Sequence, residues 1–137
     1  MIHPKGIQDV IEMYQPFKGV ITSCLDGKIR MFDIEQHRQI GLFSGFHETG
    51  VKQLDFTPYH GAALLSVGHE VYFNLWEIES SLSFGKTGNE VPVKLNSISA
   101  PVVGARFLSE SFFIASVDTL GTVKIWNSKT HNCIQVI

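Results

Sequence analysis

The sequence predicts an all-β fold of three consecutive four-stranded antiparallel sheets, and three observations predict it. First, Thr22–Asp33, Ser66–Glu77 and Ser116–Asn127 superpose without a gap. Each opens on a small hydroxyl residue and places Phe32, Trp76 or Trp126 ten positions later, followed by Asp33, Glu77 or Asn127. Second, apolar side chains ahead of each aromatic residue alternate at close to period two: Ile29 and Met31, Phe73 and Leu75, Val123 and Ile125. That spacing belongs to a strand with one face buried. Third, turn signals stand at matching places, Asp26-Gly27 in the first segment and Leu120-Gly121 in the third, so each segment reads as strand, tight turn, strand.

The repeat unit is longer than a hairpin. His3 to Asp33 matches His47 to Glu77 over 31 residues without a gap, and Val102–Phe107 rejoins the pattern opposite Val51–Phe56. In order, the first unit (3–44) is expected to contain strands at Ile7–Met13, Val20–Cys24, Lys28–Ile34 and His37–Phe43. The second (47–96) contains Val51–Phe56, Ala63–Val67, Tyr72–Glu77 and a displaced Val91–Leu95. The third (100–137) contains Val102–Leu108, Phe112–Val117, Thr122–Asn127 and Asn132–Ile137. The aromatic residues recur 44 and then 50 positions apart. The Ser- and Gly-rich stretch 80–90 accounts for the excess as a loop insertion in the second unit. Pro58 and Pro101 fall in connections, where a missing N–H is tolerated.

With 137 residues, 44% of them apolar, the chain is expected to be a single module, one contiguous folded unit with a buried core. Eleven basic residues against 13 acidic ones give a net charge of −2, and the basic residues are scattered. This argues against nucleic acid or a membrane as partner. Ten phenylalanines without interleaved Lys and Arg read as core rather than as a stacking platform for single strands. Cys24 and Cys133 lie far apart with no ligand spacing, the usage of a reducing compartment. The N-terminus shows no secretory pattern, and no window approaches the roughly 18 apolar residues of a membrane span. A cytoplasmic protein is expected.

No catalytic constellation emerges. The six histidines lack metal-ligand spacing, and there is no nucleophile elbow or phosphate loop. The hydroxyls of Thr22, Ser66 and Ser116 sit at equivalent places in three repeats, whereas chemistry needs one singular site. No catalytic, metal or cofactor site is expected.

At these residues the sequence resembles the WD-repeat family of β-propellers, whose repeats run about 40–45 residues with four strands and a Gly-His…Trp-Asp signature. The resemblance covers essentially the whole chain, and Gly61–Glu70 resembles the divergent repeats of ciliary and EF-hand-associated members, which adds a cytoskeletal or ciliary setting. It implies three propeller blades arranged radially, with a buried relay of His, Ser or Thr, Asp and Trp in each. Carried over, the relay positions are His47, Ser66, Glu70 and Trp76 in the second blade, with Glu where the family prefers Asp. The first blade has His3, Thr22 and Asp26, with Phe32 in place of Trp. The third has Ser116 and Trp126, with Leu120 where Asp is expected and no His. No repeat carries the full set, which implies blades less rigid than the family's best examples.

The resemblance also implies a non-enzymatic scaffold that docks proteins or peptides on its loop faces. The contact positions it points to are Gly6, Gln8, Leu25, Gly50, Lys52, His69, Pro101, Val103 and Thr119. The competing readings are a propeller holding a small ligand or an active site in its channel, and an RNA-associated propeller. Three blades cannot close a ring that takes about four to eight. The chain also begins shortly before its first strand and ends within its last. Completion by another copy or by further blades is therefore expected, with Ile7, Val10 and Ile11 at one end and Ile134, Val136 and Ile137 at the other in or beside that interface.

Overall fold

The computed structural model describes residues 6–14, 18–44, 47, 50–58, 63–77, 92–109 and 111–137. His3 and the insertion at 80–90 lie outside the described residues. Among the described residues twelve strands run in order: β1 (Ile7–Met13), β2 (Gly19–Cys24), β3 (Lys28–Asp33), β4 (Arg38–Ser44), β5 (Gln53–Thr57), β6 (Ala63–Val67), β7 (Tyr72–Glu77), β8 (Val93–Asn96), β9 (Val102–Phe107), β10 (Phe113–Asp118), β11 (Val123–Asn127) and β12 (Cys133–Val136). They form three four-stranded antiparallel sheets, each a meander of sequential neighbours. Val51 and Lys52, expected at the head of β5, precede it. Their N–H groups donate to the carbonyls of Cys24 and Val67, the last residues of β2 and β6.

The turn between the third and fourth strands shows why a short polar acceptor follows the aromatic residue. Asp33 Oδ1 accepts the N–H groups of Glu35 and Gln36 at 2.9 and 3.0 Å. Asn127 Oδ1 does the same for Lys129 and Thr130 at 2.8 and 3.1 Å, so the side chain shapes the turn locally. His37 and His131 then close these turns in the left-handed region, at φ 55° and 65°. A register irregularity recurs beside each, between Met31 and Phe32 and between Ile125 and Trp126.

The sheets pack face to face, with the first strands innermost: β1 touches β5, and β5 touches β9. Alternation along each strand sends one set of side chains to each neighbouring sheet. Ile21, Ile29, Met31 and Met13 of the first sheet meet Val51, Leu54, Leu64 and Trp76 of the second. From the other face of that sheet, Leu65, Val67, Phe73, Leu75 and Leu95 meet Val102, Ala105, Ile114 and Trp126 of the third. Phe73 and Trp126 pack edge to face, with centroids 5.6 Å apart. Two cores, one in each seam, hold the three sheets as one array. Ile11, expected at the open end, instead packs on the first of these cores. It lies opposite Ile21, and alternation turns both toward the second sheet. Ile7, Val10, Ile134, Val136 and Ile137 are exposed.

Candidate partner-docking end of the blades

Antiparallel meanders starting in the same sense bring the turns between second and third strands, and the connections from one sheet to the next, to a single end of the array. Backbone hydrogen bonds knit that end together. Leu25 N–H donates to the Gly6 carbonyl at 3.1 Å, Lys52 to Val67 at 2.7 Å, Val102 to Glu70 at 2.7 Å and Thr119 to Pro101 at 3.0 Å. All nine contact positions that the sequence resemblance names belong to this end.

Gly6, Leu25, Lys52, His69, Val103 and Thr119 are exposed there, and Gln8 and Pro101 are half-buried. Gly50 is a correction. It is buried at φ +91°, and a Cβ on it would meet Gln8 Oε1 at 2.6 Å and Leu25 Cα at 3.2 Å. It makes the turn and offers no surface to a partner. The sequence reading missed Ile98 and Leu120, which stand at this end with relative exposures of 82% and 73%. Ile98 takes a left-handed φ of 71°, where its N–H is held by Asn96 Oδ1 at 2.8 Å.

Beneath the loops of the second blade lies a continuous polar relay. Glu70 Oε1 stands 2.7 Å from His47 Nδ1, His47 Nε2 stands 2.9 Å from Ser66 Oγ, and the Trp76 indole N–H donates to Ser66 Oγ at 3.0 Å. Asn74 Nδ2 reaches His47 Nε2 at 3.2 Å, and the Tyr72 ring stacks on the imidazole at 5.8 Å. The second blade lacks the family's Asp, as the sequence shows, yet with Glu70 in that place its four relay members are joined. Burial pushes the His47 pKa below its ordinary 6.5, against the pull of Glu70. The neutral ring that results donates from Nδ1 to the carboxylate and accepts at Nε2. Gly68 makes room for this arrangement: a Cβ there would lie 2.4 Å from Glu70 Oε1 and 2.8 Å from His47 Nδ1.

The other two blades reach similar ends by different residues. In the third, Trp126 donates to Ser116 Oγ at 2.9 Å, but the acid is Asp118 rather than a residue at position 120. Asp118 Oδ1 accepts the N–H groups of Leu120 and Thr122, both at 3.0 Å, and Oδ2 accepts the Ser99 hydroxyl at 3.0 Å. Burial alone would raise its pKa, but these donors outweigh it and hold the carboxyl below the usual range. Lys124 Nζ donates to the Ser97 carbonyl.

In the first blade Asp26 accepts the Lys28 N–H at 3.0 Å and the Arg30 guanidinium at 3.0 Å. Here too burial pushes the pKa up, and the Arg30 and Lys28 donors bring it below the ordinary value. Arg30, Asn74 and Lys124 stand directly across from Thr22, Ser66 and Ser116. A residue eight positions after the hydroxyl therefore serves each relay, a signal that the repeat alignment carried and that went unread.

Along the inner strands, side chains tie one blade to the next. Asp9 Oδ2 accepts the Leu54 N–H at 2.8 Å, and Asp55 Oδ2 accepts the Phe107 N–H at 2.8 Å. Gln53 brackets Ala105, accepting its N–H at 3.2 Å and donating to its carbonyl at 3.0 Å. Asp55 lines a cleft of about 290 Å³ with Thr57, Phe107 and Ser109, and burial raises its carboxyl above the ordinary range. No group of three or more potential metal ligands occurs among the described residues.

No protein-family model and no curated protein matches the sequence. Solved structures do match the fold. U3-55K superposes with a TM-score of 0.80 at 14% identity, over 100% of this chain and 40% of that one. The RRP9 WD40 repeats superpose with a TM-score of 0.79 at 14% identity over the same shares. The chain thus spans about two fifths of the length of the structures it matches.

Proposed function

We propose, taking as premise that the chain has the WD40-type β-propeller fold, that it is a non-enzymatic scaffold that docks a protein or peptide on the loop end of its blades. The likeness in fold supports an interaction propeller in general terms. The observation that carries the specific reading is the make-up of the knitted end. Leu25, Val71, Ile98, Val103 and Leu120 are large apolar residues exposed on it, beside Lys52 and His69. Exposed apolar side chains gathered on one end, with polar residues among them, are what a protein partner's surface recognises. The relay residues His47, Ser66, Glu70, Trp76, Ser116 and Trp126, with Thr22 and Asp26, serve as supports that fix the loops rather than as contacts.

The partner in this reading is neither nucleic acid nor membrane, since the net charge is −2 with no basic stripe. The setting is the cytoplasm, including its cytoskeletal or ciliary structures, which suits two free thiols. Chemistry at the inner cleft is the lesser reading, because the carboxyl of Asp55 is already engaged by a backbone N–H. The test is a pull-down with Lys52→Ala and His69→Ala combined. Recovery of bound proteins should fall, and undiminished recovery of every partner removes this end as the site.

A further inference from the structure

The outer faces of the first and third blades carry the positions that, inside the chain, form the two halves of a seam. The inner strands pair in one register throughout: Val10 opposite Thr22, Leu54 opposite Ser66, Ala105 opposite Ser116. Asp9, Gln53 and Gly104 are therefore equivalent, as are Ile11, Asp55 and Arg106, and as are Glu12, Phe56 and Phe107. The two internal seams define what a blade docked on the third one must present.

On the face directed to the next blade, Ile21, Ile29 and Met31 in the first blade are buried, as are Leu65, Val67, Phe73 and Leu75 in the second. Their counterparts Ala115, Val117, Val123 and Ile125 are only half-buried. Ala115, Val117 and Val123 line a depression of about 430 Å³, deepened by Gly104 where Asp9 and Gln53 carry side chains. On the first blade, Val10, Val20 and Phe32 hold the positions from which Leu54, Leu64 and Trp76 fill the first seam. Val10 remains 56% exposed.

The polar groups select the occupant. In the second seam Asp55 lies against Phe107. The same contact made between the open faces sets Arg106 against Glu12. Arg106 is 69% exposed, with its guanidinium no nearer than 3.8 Å to Asp55, and Glu12 is exposed and lies opposite Val20 on the open face. A donor-only side chain has replaced the acceptor of the internal seam, and an acid stands where it would land.

We propose that the third blade of one copy docks on the first blade of a second copy, with Arg106 paired to Glu12. Two such seams related by a twofold axis close a ring. Two copies of three blades fall within the about four to eight of closed propellers. The inference rests on the reading of the chain as a propeller scaffold and deepens it by naming the completing partner.

Sedimentation velocity of the 137-residue chain tests it. The wild type sediments as a dimer. Arg106→Glu and Glu12→Arg each weaken self-association by roughly 10- to 100-fold by setting like charges together, and the two combined restore it. Glu12→Arg also acts away from Asp55, so its effect belongs to the seam alone. Each of four results overturns the proposal: a wild-type monomer, open-ended assemblies, a dimer indifferent to both reversals, or a double variant that stays monomeric. Protein capture by the loop end, lost with Lys52→Ala and His69→Ala but kept with Glu12→Arg, separates failure of this seam from failure of the scaffold reading.

Discussion

The indole N–H of Trp76 donates to the hydroxyl of Ser66 at 3.0 Å, ten residues earlier on the neighbouring strand. Both side chains are buried, at 2% and 0% exposure, so water cannot replace the bond. Phe at position 76 keeps most of the ring and removes the donor, as Phe32 does naturally in the first blade. Trp76→Phe is expected to destabilise the protein by about 1–2 kcal/mol, the worth of one buried hydrogen bond with some lost packing. Urea denaturation followed by far-UV circular dichroism checks it, and an unchanged midpoint would show that the relay contributes nothing.

Gly68 gives a sharper steric test. Its Cβ position is hemmed in by Glu70 Oε1, His47 Nδ1 and the Gly50 carbonyl, at 2.4, 2.8 and 2.9 Å. The Glu70 carboxylate can swing away, but only by leaving His47, and the Gly50 backbone cannot move freely. Gly68→Ala should cost about 1–3 kcal/mol, whereas Gly121→Ala, with nothing within 4 Å, should lose only what its φ of +82° imposes, about 1 kcal/mol. Equal losses in thermal unfolding would contradict the crowding at Gly68.

The pH dependence follows from His47. Its folded pKa lies below 6.5 because burial disfavours the imidazolium. Between 6.5 and that lower value the unfolded chain binds more protons than the folded one, so the associated stability is complete above 6.5 and declines as pH falls through this window. His47→Asn should be less stable at pH 7.5 and show a shallower decline toward acid. A parallel decline in both proteins would assign the slope to other groups.

In the third blade, Asp118 carries the function that the sequence places at position 120. Asp118→Ala removes the acceptor of two backbone N–H groups and the Ser99 hydroxyl, and a clear loss of stability is expected. Leu120→Ala, at a 73% exposed position, should change stability by less than about 0.5 kcal/mol. Equilibrium unfolding of the pair distinguishes them, and the reverse order would contradict the role given to Asp118.

These cases mark what the sequence makes legible. Strand order and the alternation around Phe32, Trp76 and Trp126 could be read because a half-buried strand writes a period of two into neighbouring residues. The relay roles of Ser66 and Trp76 are what the family resemblance implies, carried onto these residues by their constant spacing. Asp118 was not, because its role is set by the turn it caps two residues before the expected place.

The ties from Asp9 to Leu54, Gln53 to Ala105 and Asp55 to Phe107 cross 45 to 52 residues. Their geometry exists only once sheets are stacked, and no local pattern records it. Gly50 and Ile11 were misplaced for a related reason. Equivalence along the repeat places a residue at an end or on a strand, but which neighbour covers it depends on the adjoining blade.

In the proposed function, partners dock on the end carrying Leu25, Lys52, His69, Val103 and Leu120. The most direct measurement is site-specific photocrosslinking in cells, with a photoreactive residue placed at Val103 or Leu120 on that end, or at Gln36 in the turn at the opposite end. All three positions are exposed, so the probe itself should not disturb folding. Discrete covalent adducts to protein are expected from positions 103 and 120, diminished by Lys52→Ala with His69→Ala, and none from position 36. Adducts arising equally from position 36, or none from either loop-end position, would contradict it.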